Sequence, residues 1–245
     1  MKTKNIVLIL AALAGFVIFA ASCEEFPDIP TLPREEAQTH ILNLLGPDRV
    51  DVTLETAETE VSFGERIPFG GGYPQNGYAS LPTRTENADT DSQRAPVFIT
   101  AKNTFSRQAV LDRALFFLNP NIHTTVAMID SFGKAKVLRA ADTYPEFTAD
   151  TTAIIRYMNL AYHLPSTSFR SMDSTIWFER YNFLTFTSFT EVPAGTYSFD
   201  VIEDGSGFAV TNLQNIELVP GKHYNFWFTW RSGQSVAGVE EMIID

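Results

Sequence analysis

Four histidines, His40, His123, His163 and His223, are the side chains of this chain best suited to acid–base or metal chemistry. No His-x-x-x-His pair or glutamate-flanked His occurs, so zinc-ligand spacing is missing. There is no Gly-x-Ser-x-Gly elbow to present a nucleophile. Gly205-Ser206-Gly207 follows Asp204 and reads as a hairpin turn. Gly70-Gly71-Gly72 precedes neither a lysine nor a helix, so it reads as a flexible connection rather than a phosphate loop. Asn87-Ala88-Asp89-Thr90-Asp91 opens like a calcium loop but lacks the glycine at the sixth position and the glutamate at the twelfth, which favours a solvated acidic loop. Scattered carboxylates could still meet in space as a hydrolytic acid–base pair. The expectation is nevertheless no catalytic residue, no metal and no cofactor, with an unrecognised hydrolase the weakest of three function classes.

The aromatic pattern is more informative. In Leu218–Trp230, a Pro220-Gly221 turn leads into Tyr224, Phe226, Phe228 and Trp230, alternating with His223, Asn225, Trp227 and Thr229. Period two marks a strand with one wholly aromatic, inward face. Trp227 is left on the other side. In the strand from Ile176, the same alternation sends Ile176 and Phe178 inward and leaves Trp177, Glu179 and Tyr181 outward. Trp177, Tyr181 and Trp227 are therefore the candidate ligand-binding residues, able to stack on sugar rings. The competing expectation, which carries more weight because large aromatics are mostly buried, is that neighbouring structure covers them.

These residues sit in a chain written twice. From Val97 to Asp130 the landmarks recur at a constant offset of 100: Ala109-Val110 on Ala209-Val210, Leu118 on Leu218, Pro120 on Pro220 and His123 on His223. Asn43-Leu44 falls on Asn159-Leu160 and Leu81-Pro82 on Val192-Pro193, with DSTIWFE (Asp173 to Glu179) standing where DVTLE stood. The equivalence gives His123 and His223 one shared strand-end or turn role. Short alternating runs punctuated by Gly, Pro and Asn, without an amphipathic helix, predict an all-β fold of tandem sandwiches. The expected organisation is a signal peptide over 1–22, an acidic Pro-rich tether over 23–37, one sandwich over 38–147 with a loop insertion at 83–95, and a second over 148–245.

Lys2 and Lys4 precede an apolar run from Ile6 to Ala21, shorter than the roughly 20 residues a membrane-spanning helix needs. It ends in Phe19-Ala20-Ala21-Ser22-Cys23, where the chain has its single cysteine. This resembles the lipobox of bacterial lipoproteins, with Ala20 in place of the usual leucine. The resemblance implies cleavage before Cys23 and acylation of its sulfur with diacylglycerol and palmitate-type chains. Cleavage also removes Lys2 and Lys4, taking the formal charge from −11 to −13. So acidic a surface argues against nucleic acid and against electrostatic docking on anionic lipid. Glu24-Glu25 resembles the export tags of surface lipoproteins, although a solvated linker explains the pair equally well.

IIRYMNL, VPAGTYSFDV and LVPGKHYNFWF resemble, in that order, the successive blocks of the bacterial family called domain of unknown function 4397. Its members recur in tandem in secreted proteins and lipoproteins. The resemblance implies immunoglobulin-like or transthyretin-like β-sandwiches and no assigned catalytic residues. The first repeat departs from it by losing the AGTY signature. The function expected is a lipid-anchored, outer-membrane or cell-surface protein, partnered with the membrane through its anchor. It is expected to be a non-catalytic binding or adhesion module for a glycan or surface-protein ligand. The alternative is a structural component of an envelope assembly.

Overall fold

The first sandwich is built from nine strands in sequence order: β1 (Glu35–Leu44), β2 (Arg49–Glu55), β3 (Glu60–Pro68), β4 (Gly72–Tyr73), β5 (Ala79–Thr83), β6 (Ala95–Asn103), β7 (Ala109–Leu118), β8 (His123–Ser131) and β9 (Lys134–Ala141). Nine more repeat them: β10 (Thr152–Asn159), β11 (Ser166–Ser171), β12 (Trp177–Asn182), β13 (Thr185–Phe186), β14 (Thr190–Pro193), β15 (Gly195–Glu203), β16 (Ala209–Leu218), β17 (His223–Arg231) and β18 (Gln234–Met242). The structure, a computed structural model, describes residues 35–56, 59–75, 77–83 and 94–244. The acidic loop Asn87–Asp91 and Cys23, with its signal peptide and most of the tether, lie outside the described residues, as does most of the 83–95 insertion.

Each repeat pairs its strands in the same way. One sheet runs β4-β1-β8-β9, with β5 also on β1, and the other β3-β2-β6-β7. The second repeat has β13-β10-β17-β18, with β14 on β10, and β12-β11-β15-β16. The central pairs β1–β8 and β10–β17 are parallel, as crossover connections require. Strands β6 to β8 carry the offset of 100 over into β15 to β17 residue for residue. One alignment is corrected. The counterpart of β2 is β11, Ser166–Ser171, so DSTIWFE supplies the turn and β12, the partner of β3. The first strand also begins at Glu35, so residues 35–37 pair with β5 instead of belonging to the tether.

Burial follows the period-two pattern. In the first sandwich Ile41, Val126 and Met128 face Val52, Leu54, Val97 and Ile99. In the second Ile155, Tyr157, Phe226 and Phe228 face Phe169, Phe199 and Val201. Tyr224, Phe226 and Phe228 are buried as their alternation demands, but Trp230 is only half-buried and packs at a tilt against His163, with ring centres 3.7 Å apart, instead of entering the core.

The central strands are buried on their second face as well. Leu42 and Leu44 of β1, Ala127 and Ile129 of β8, Met158 of β10 and Trp227 of β17 form a third apolar cluster, joined by Leu160. Residues Arg34–Asp245 thus make one unit in which the five-stranded sheets lie back to back. Runs such as AIIRYMNL and TTVAMI lack a polar face for this reason, as expected of strands covered on both sides.

Candidate binding site

Hairpin β11–β12 places Arg170 opposite Trp177. Trp177 is 57% exposed, and the Arg170 guanidinium lies 5.9 Å from its ring centre. Strict alternation would put Tyr181 on that outer face too. The ladder instead slips between Thr167 and Phe169, where Arg180 adopts φ 60 and its N–H donates to Ser168 Oγ at 3.0 Å. One extra residue on β12 reverses the alternation beyond it. Tyr181 therefore turns toward the core, half-buried, with its ring 6.3 Å from those of Tyr157 and Phe178.

A groove lies beside the bulge. Trp177 and Tyr181 line a cleft of about 460 Å³ together with Thr187, Ser188, Thr190 and Glu191, between the edges of β12 and β14. Its chemistry is an exposed indole beside hydroxyl groups. Glu191 is the one carboxylate among the described lining residues. It accepts from Thr148 Oγ1 at 2.6 Å, from the Thr148 N–H at 2.8 Å and from Thr152 Oγ1. Those bonds hold it down at about 2, so it is ionised and occupied in fixing the segment before β10.

Trp227 belongs to a different place. It is 5% exposed, edge-on to Phe69 at 6.0 Å, inside the cluster between the two sandwiches. Its indole is covered by the first sandwich and shares no surface with Trp177. Two glycines make room for it: a Cβ on Gly238, directly opposite in β18, would overlap the ring, and one on Gly70 would come within 2.8 Å of it. The Gly70–Gly72 run is therefore no flexible connection. Its backbone is pinned by Gly70 N–H to Asn43 O at 2.7 Å and Asn43 N–H to Gly71 O at 3.0 Å. The absent side chains let Trp227 and His40 approach.

Beside this apolar half the same interface carries a buried polar half that sequence reading missed. Arg156, 1% exposed, donates through Nη1 to Asp142, through Nη2 to Thr125 Oγ1 at 3.1 Å and through Nε to Asn225 Oδ1 at 3.1 Å. Asp142, 4% exposed, also accepts from Thr125 Oγ1 and the Tyr78 hydroxyl, each at 2.6 Å. Burial and the Asp142 charge push the Tyr78 and Tyr144 hydroxyls up, so both stay protonated. A cation in the middle of the apolar run AIIRYMNL was the available signal, since a charge there must find a buried partner.

The histidines divide among these surroundings. His123 and His223, equivalent in the repeats, open β8 and β17 and pack edge-on to Tyr78 at 4.5 Å and Tyr144 at 4.7 Å. Burial lowers His223 to about 4. Because its folded pKa lies below the unfolded value near 6.5, its contribution to stability is lost as pH falls through that window. His163 is likewise lowered by burial. No group of three or more His, Cys, Asp and Glu side chains able to hold a metal ion occurs among the described residues.

Scans of protein-family models and of curated proteins match nothing in this chain. Among solved structures, a carbohydrate-binding module from Eubacterium rectale in complex with maltoheptaose is 11% identical at TM-score 0.24, covering 85% of this chain and 98% of that one. A candidate cell adhesion protein from Bacteroides ovatus is 10% identical at TM-score 0.24, covering 86% and 100%. A second, from Bacteroides uniformis, is 9% identical at TM-score 0.22, covering 86% and 98%. Likenesses at these scores carry no argument about ligand or partner.

Proposed function

We propose that this chain is a lipid-anchored envelope protein, displayed at the outer membrane or cell surface, whose second sandwich binds a glycan without catalysis. The observation that carries the reading is Trp177, more than half exposed on the rim of the hydroxyl-lined groove beside Tyr181. An exposed aromatic face with adjacent hydroxyls suits the apolar face and rim hydroxyls of a pyranose ring. On a glycan array, the full chain should give a signal that Trp177→Ala reduces at least tenfold, equivalent to about 1.4 kcal/mol. A signal unchanged by that substitution would place binding elsewhere and sink this reading.

The anchor is proposed from Cys23 and the apolar segment before it. Cys23→Ser should shift the protein from the membrane to the soluble fraction on cell fractionation; retention in the membrane would contradict lipidation. Membership of the 4397 family is likewise a proposal, supported by the order of its three sequence blocks. An assembly role has one observation in its favour. Leu115 and Phe117 on the outer face of β7 are 51% and 39% exposed, where the twin strand β16 has Asn215 and Glu217. Stable co-purification with an envelope partner, abolished by Leu115→Asn with Phe117→Glu, would favour that role over glycan binding.

A further inference from the structure

His40 is wholly buried in β1 and bridges the two sandwiches. Its Nδ1 lies 2.8 Å from the carbonyl of Gly77, in its own sandwich, and its Nε2 lies 2.9 Å from Glu240 Oε2 on β18 of the other. A carbonyl and a carboxylate only accept hydrogen bonds. A neutral imidazole carries one N–H, so it satisfies one of these contacts and sets a lone pair against an oxygen in the other. Both contacts are made only when the His40–Glu240 pair holds an additional proton, shared between Nε2 and Oε2. We propose that this proton is a clasp between the sandwiches: it locks the interface at acidic to neutral pH, and its loss at alkaline pH releases the interface.

The surroundings of His40 favour retention of the proton. Its charged and titratable neighbours are Glu240 from β18, Asp142 beyond β9, itself paired with Arg156 of β10, and the Tyr78 hydroxyl before β5. Burial alone would lower the imidazole pKa, but Glu240, through its hydrogen bond and charge, with Gly77 O and Asp142, raises it above the ordinary value. Release has a structural route. Glu240 also lines a cleft of about 550 Å³ bounded by the Gly70–Gly72 run and Tyr73 on one side and by Val239 and Glu241 on the other. A carboxylate that has lost its donor can turn into that cleft and be hydrated. Gly72 must remain a glycine for the clasp to close, because a Cβ there would overlap the His40 ring and the Glu240 carboxylate.

The sign follows from linkage. In the open state His40 titrates near its unperturbed value of about 6.5, and in the closed state above it. Closure is fully supported below about 6.5. Between the two values, opening becomes up to tenfold more frequent for each pH unit gained, one proton being lost on opening. His223 acts in the opposite window, below 6.5, so the two effects separate on the pH axis.

The test uses hydrogen exchange of the amides of β1 and β18 in the full chain between pH 6.5 and 9.5, corrected for intrinsic exchange, with the His40 ring followed by NMR. Wild type should open more with rising pH, and His40 should titrate above its ordinary value. Glu240→Gln supplies a neutral donor: its amide N–H can reach Nε2 while Nδ1–H keeps Gly77 O. That variant should hold the interface closed with no pH dependence over this range. Parallel pH dependence in wild type and Glu240→Gln, or a His40 titration at or below its ordinary value, overturns the proposal.

Discussion

Asp142→Ala should lower the unfolding free energy by about 3–5 kcal/mol, measured by urea denaturation at neutral pH. Asp142 accepts hydrogen bonds from Arg156, Thr125 and Tyr78 and is the carboxylate that neutralises Arg156. Without it, a guanidinium only 1% exposed stays inside the interface, with the Phe189 ring 4.3 Å away as poor compensation. The cost is that of an uncompensated buried charge, which differs from the net worth of the pair. Replacing both members, Arg156→Met with Asp142→Leu, should therefore recover most of the loss. A single-variant loss below about 1 kcal/mol would mean that water reaches the interface, contrary to the burial seen here.

Trp227→Ala should cost a further, separate 3–5 kcal/mol or so, and leave glycan capture at the Trp177 groove untouched. The indole fills the space between Gly238 and Gly70 and touches residues from both sandwiches, so its removal opens a cavity that neither sheet can close alone. Gly238→Val on the wild-type background should also destabilise, by about 1–3 kcal/mol, because its Cβ overlaps the ring. Combined with Trp227→Ala, the valine should refill part of the cavity, so the double variant should be more stable than the sum of the single losses predicts. Loss of glycan binding in Trp227→Ala, with thermal stability unchanged, would reverse the assignment of this residue to the interface.

Both experiments bear on residues that alternation alone cannot assign. Period two places Trp227 on the face opposite Phe226 and Phe228, and there it is. It does not say whether that face meets water or another sheet. Tyr181 shows a second limit. Its position two residues after Glu179 predicts an outward ring, but the bulge at Arg180 turns it inward, and a bulge depends on the pairing strand as much as on β12 itself. Strand β11, within the run AYHLPSTSFRSM, was hidden because its polar, hydroxyl-rich sequence lacks a clean alternation of apolar residues.

The all-β class, the duplication, the strand that opens at His123 and again at His223, and the aromatic core face of Tyr224, Phe226 and Phe228 are legible in the order of residues alone. These follow from local periodicity and turn chemistry, which neighbouring residues carry between them. That the two sandwiches stand back to back follows from packing between distant strands. That arrangement buries Trp227 and joins His40 to Glu240 and Asp142 to Arg156. His40 and Glu240 are 200 positions apart, and nothing local to either announces the other. Charged partners at such separation are selected by the packing of whole sheets, because desolvation makes every unpaired charge in that interface costly wherever it lies in the chain.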